Sequence, residues 1–231
     1  MRKREYITKQ NVQLAVDLAK KAYFQKILPS LQAGIKKGDI EHVKREIDRI
    51  YDELSIARRA LIKPVWISVK EKLRRWNEEV YVQNSKYREN LIHETDRGEF
   101  VRSKSEKEIA NELNRRSEML DYKYERPLSL IVNGRAELFY PDFTVINKMT
   151  GKIRYWEHAG KMDDSKYAIH FVDKINIYME NGIFPGEDLI ITYEASTIPL
   201  NSRYIKKCAE RIENMVLGAD SREIGWAGLQ E

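Results

Sequence analysis

The sequence predicts a mixed α/β (α+β) chain, with a helical N-terminal region over residues 1–94 and a second domain over 95–231. Three observations carry this. Apolar residues recur at helical spacing through the first third of the chain. From Tyr122 onward, aromatic and β-branched runs alternate with turn signals. Two helical segments, 164–181 and 204–217, then flank a short apolar run, Leu189 to Tyr193. The resulting order after residue 95 is α-β-β-β-α-β-α.

In the N-terminal region, Val12, Ala15, Val16, Ala19, Tyr23 and Ile27 share one helical face, and Pro29, Gly34 and Gly38 mark its end. Ile40, Val43, Ile47, Ile50, Leu54, Ala57 and Leu61 then alternate steps of three and four, an unbroken apolar seam. Such a seam packs against the first helix as an antiparallel hairpin, or against a second copy as a dimeric coiled coil. Ser68 and Glu71 read as a capping box for a third helix, with Val69, Leu73, Trp76 and Val80 inward. Trp66, Trp76, Tyr81 and Tyr87 suit a helical core better than base stacking, although both uses exist. The polar stretch 81–97 reads as a linker.

The second domain opens with a helix capped by Ser103 and Glu106, burying Ile109, Ala110 and Leu113. Residues 122–132, 136–147 and 152–158 are the expected strands, the first interrupted by Arg126-Pro127 and followed by the Asn133-Gly134 turn. Leu189 to Tyr193 is apolar enough for a sheet interior.

The chemistry sits between Glu137 and Lys161. Phe139–Ile146 and Ile153–Trp156 are strand-like, and Asn147-Lys148-Met149-Thr150-Gly151 supplies a turn. A hairpin symmetric about Met149 and Thr150 places Asp142 opposite Glu157. Opposed residues share a face, with Cβ atoms about 4.5–5.5 Å apart. Two carboxylates that close repel unless a cation lies between them, and oxygen ligands suit a divalent metal.

Pro141-Asp142 followed by Glu157 resembles the motif of the PD-(D/E)XK nuclease superfamily, whose fold is the restriction-endonuclease-like core, α-β-β-β-α-β. The segments TDRGEFVRSKSE (95–106), YPDFTV (140–145), YWEHAGKMDD (155–164) and NGIFPGEDLIITYE (181–194) resemble, in the same order, a bacterial group built on that fold. The resemblance implies Mg2+, replaceable by Mn2+, held by Asp142, Glu157 and the backbone carbonyl of His158. It also implies a glutamate from the first core helix, the place of Glu106, which the residues alone explain as a cap. Alternation along a strand turns the His158 side chain away from the metal.

The superfamily motif has lysine two residues after its glutamate, and Ala159 stands there. Lys161, beyond Gly160, is the nearer replacement and slightly preferred. Lys174 is the other, sharing a helical stripe with Tyr167, Phe171 and Tyr178. Its alternative role is to snorkel along that apolar face. Arg102 and Lys104 are the candidate nucleic-acid contacts. The implied activity is metal-dependent phosphodiester hydrolysis, in DNA rather than RNA. The alternative is a catalytically degenerate module of the same fold that binds nucleic acid or protein.

Charge supports a polyanionic partner. Residues 1–94 carry 21 Lys+Arg against 13 Asp+Glu, a net of +8, and residues 95–231 carry 20 against 23, a net of −3. A solvated helical surface gives the same statistic. The single cysteine, Cys208, excludes an internal disulfide framework and a cysteine-based zinc cluster. With no apolar run near the ~18 residues of a membrane span, the expectation is a cytoplasmic protein without membrane contact. Dimerisation through the N-terminal helices is a further expectation.

Overall fold

A computed structural model of the protein describes residues 12–59, 61–62 and 64–214. The chain divides between Arg74 and Arg75 into two compact units.

In the first unit, α1 (Val12–Lys37) and α2 (Ile40–Asp52) pack together, followed by the short α3 (Ile56–Arg59) and by α4 (Val69–Glu78), which begins in this unit. Pro29 lies inside α1 and does not end it. It is on the exposed side, where water can satisfy the carbonyl that loses its donor. Gly34 is buried against α2: a Cβ there would lie 1.7 Å from Val43 Cγ2. Val43, Ile47, Ile50 and Leu54 close onto Ala19, Tyr23 and Ile27 in one cluster. The seam is therefore filled by α1 of the same chain, as in the antiparallel hairpin reading. The seam is also shorter than its pattern. Ile40 and Ala57 are exposed, and the helix breaks after Asp52, where a turn brings Tyr51, Leu54 and Ile62 together. The Ser68 cap forms, its Oγ accepting the Glu71 N–H at 3.1 Å. Val80 lies beyond α4 and is 96% exposed.

The second unit begins before residue 95 because the end of α4 and the expected linker are both tied to it. Trp76 Nε1 donates to Asp121 at 2.6 Å, Lys123 bonds the Glu79 carboxylate at 2.9 Å, and the Tyr81 hydroxyl donates to the Tyr124 carbonyl at 3.0 Å. A small hairpin, β1 (His93–Glu94) and β2 (Phe100–Val101), leads into α5 (Lys104–Arg115).

The expected first and second strands are each divided. Residues 120–132 form β3 (Leu120–Tyr124) and β4 (Leu128–Val132), and residues 135–147 form β5 (Arg135–Phe139) and β6 (Phe143–Asn147). Two local features explain the divisions. Glu125 has a left-handed φ of 47° just before Pro127, and Pro141 has no N–H to give a ladder. Consequently β4 and β5 leave the sheet as a separate hairpin. The main sheet has the order β3-β6-β7-β8, with β7 (Ile153–Ala159) and β8 (Leu189–Tyr193). Neighbours are antiparallel except β7 and β8, which are parallel. The β6–β7 register pairs Phe143 with Trp156 and Thr144 with Tyr155, the symmetry expected from the turn. Asn147 enforces that turn, its Oδ1 accepting the N–H groups of Met149 and Thr150.

Helices cover both faces. On one, α5 and α7 (Ser202–Asn214) enclose Tyr122, Phe143, Val145, Trp156 and Ile190. On the other, Tyr178 of α6 (Ser165–Glu180) packs with Leu130 of the hairpin and Leu189. The expected last turn of the final helix, 215–217, and the tail lie outside the described residues.

Candidate functional site

The break at Pro141 and the tight β6–β7 turn together deliver Asp142 to the end of β6, one step beyond the paired residues and beside the end of β7. The register is confirmed there by a side chain, since Asp142 Oδ2 accepts the His158 N–H at 2.6 Å. Glu157 faces α6. Its Oε2 accepts from Lys174 Nζ at 2.6 Å and its Oε1 from the Tyr178 hydroxyl at 2.6 Å. Lys174 and Tyr178 stand one turn apart on α6, whose start is set by Asp164 accepting the N–H groups of Lys166 and Tyr167. Asp142, Glu157, His158, Tyr167, His170, Phe171 and Lys174 line a cavity of about 190 Å³.

The electrostatics follow from that crowding. Burial, then the charges of Glu157 and Glu106, hold the Asp142 carboxyl well above its ordinary range, although Lys174 and the His158 N–H pull the other way. Burial works to lower the Lys174 pKa, but Glu157 and Asp142 outweigh it and the net shift is upward. The amine therefore stays an ammonium. Tyr178 is raised by burial and by Glu157, so its hydroxyl remains a donor.

Glu106 does two things. Its N–H donates to Ser103 Oγ and its Oε2 accepts from the Arg102 N–H and the Tyr124 hydroxyl, so the cap forms. Its charge nonetheless reaches Asp142. Glu125, 4% exposed, donates its N–H to the Asp142 carbonyl, and its Oε1 accepts from Arg102 Nη2 at 2.8 Å. Burial pushes it up to about 7, against the pull of Arg102.

The two lysine candidates separate. Lys161 is exposed and does not line the cavity, because β7 ends at Ala159 and residues 160–164 turn back into the start of α6. Lys174 is the one brought to the carboxylates. Arg102 Nη2 is held by Glu125 and the Lys86 carbonyl, whereas Lys104 is exposed at the start of α5. The His158 ring lies across the sheet from Glu157, with Nδ1 3.1 Å from Thr192 Oγ1 and Nε2 3.3 Å from Glu194. Its carbonyl shares the β6-facing edge with its N–H, on the Asp142 side.

Tyr178, Glu125 and Tyr124 escaped the sequence reading as site residues. The stripe Tyr167, Phe171, Lys174 and Tyr178 was visible at helical spacing; what it opposes was not.

The donors suit a hard divalent cation, being carboxylate oxygens with lone pairs to spare: among the described residues, Glu157 uses one per oxygen and Asp142 receives only the His158 N–H. Among the described residues, no group of three or more His, Cys, Asp or Glu side chains is gathered as a ready cage. The fit is thus to a two-carboxylate site with Glu106 in electrostatic reach. Comparison with protein-family models, curated proteins and solved structures found no match.

Proposed function

We propose that the protein is a metal-dependent nuclease with a restriction-endonuclease-like core, hydrolysing phosphodiester bonds in DNA in preference to RNA, and acting in the cytoplasm. The observation that carries this reading is the convergence of Asp142, Glu157 and Lys174 on one cavity, with the lysine bonded to the glutamate. Asp142, Glu157 and the His158 carbonyl would hold Mg2+, or Mn2+ in its place, with Glu106 adding negative potential. A bound ion of this kind offsets charge on a phosphate and lowers the pKa of a water. Lys174 keeps a positive charge in the cavity, suited to a phosphate oxygen or an attacking water. It takes the part that Ala159 cannot. Tyr167 and His170 line the same cavity at the exposed end of α6.

The basic excess over residues 1–94 supports a grip on the phosphate backbone. Among the described residues, no helix is long and apolar enough to cross a membrane.

Ala159 favours a second reading, a module of the same fold that binds nucleic acid without cutting it. Plasmid nicking and single-strand cleavage with Mg2+ and Mn2+, comparing the native protein with Asp142→Ala, separates the two. The expected result is metal-dependent cutting that the substitution abolishes. DNA binding without cutting by either protein would establish the binding module instead.

A further inference from the structure

Resting on that reading, we infer that Tyr178 is a positioning residue for metal binding, acting through Glu157. Glu157 is 2% exposed, and each of its oxygens has one donor: Tyr178 on Oε1, Lys174 on Oε2, both at 2.6 Å. The two donors differ in what else they can do. Lys174 is partly exposed, its side chain retaining 28% accessibility, and it lines the cavity. It can turn from Glu157 toward a bound phosphate. Tyr178 has no such freedom. It is 0% exposed, with its ring edge-on to Phe139 at 6.2 Å and tilted against Tyr155 at 6.4 Å. When Lys174 engages substrate, the phenol is the donor that keeps the Glu157 carboxylate aimed.

A carboxylate offers about four lone-pair sites, so one hydrogen bond on each oxygen leaves the other lone pairs for a cation. A donor that fixes a ligating group in this way typically changes metal affinity by about 10–100-fold when removed. The hairpin that packs on Tyr178 thereby gains a role at the site: Leu130 and Phe139 buttress the ring, and Asn181 binds the hairpin backbone at Ile131, accepting its N–H at 2.7 Å.

The test is calorimetric titration of Mn2+ into the native protein, Tyr178→Phe and Ile212→Ala. Phenylalanine preserves the ring contacts and removes only the hydroxyl. Ile212→Ala, in the apolar cluster under α7 on the opposite face of the sheet, controls for general loosening of the fold. The expected result is a Kd for Mn2+ raised about tenfold or more in Tyr178→Phe and unchanged in Ile212→Ala. Native-like affinity in Tyr178→Phe, or an equal loss in both variants, would make Tyr178 a packing residue and overturn the inference. No Mn2+ binding by the native protein would instead overturn the metal reading itself, and the inference with it.

Discussion

Glu125→Gln should flatten the pH dependence of stability. Glu125 is buried beside Glu106, and its pKa rises from 4.5 unfolded to about 7 folded. Between those values the folded state holds more protons on this group than the unfolded state does, so stability is greatest in acid and falls as pH rises. Linkage over that interval gives a loss of about 2–3 kcal/mol between pH 5 and pH 8, most of it before pH 7. Glutamine cannot ionise, so the variant lacks this contribution while keeping nearly the same shape. The assay is urea unfolding in EDTA at pH 5 and pH 8 for both proteins. The drop in unfolding free energy on going to pH 8 should be smaller in the variant by about 2 kcal/mol. Parallel pH profiles would refute the reasoning, since they would mean that the Arg102 ion pair at 2.8 Å offsets burial fully.

Two further substitutions probe the site and the helical unit. Lys174→Met should lower metal-dependent cutting by about a hundredfold or more, while Lys161→Met stays near native. Steady-state cleavage of a labelled duplex reads both, and the reverse pattern would reassign the lysine. In the helical unit, Gly34→Ala forces a methyl onto Val43, whose branched side chain has few rotamers available in a helix. Overpacking of about 1–3 kcal/mol against about 1 kcal/mol of gained helix propensity leaves net destabilisation. Combining Gly34→Ala with Val43→Ala should turn the same change stabilising in urea unfolding, and a loss that persists there would rule out this clash as its cause.

Part of this protein is legible in the chain itself. The turn chemistry of Asn147 to Gly151 determines the β6–β7 register, because a two-residue period leaves one alignment that keeps Phe143 and Trp156 on the same buried face. Placing Asp142 beside the end of β7 follows from that register alone. The caps at Ser68 and Ser103 and the apolar strand Leu189–Tyr193 were equally readable, since capping and continuous burial are local or nearly local demands.

Tertiary structure decided the rest, wherever a residue's role depends on what a distant element presents to it. The helical stripe on α6 could be read, but only the packing of α6 over β7 pairs Lys174 and Tyr178 with Glu157 and leaves Lys161 in water. The expected linker gave no periodic signal, and its attachment rests on separate bonds from Tyr81 and Arg97 to β3, beside those of Trp76 and Glu79 just before it. The seam on α2 fits a partner of either origin; α1 fills it because Gly34 lets the two backbones approach. Periodicity specifies which face is buried, and only the assembled fold specifies against what.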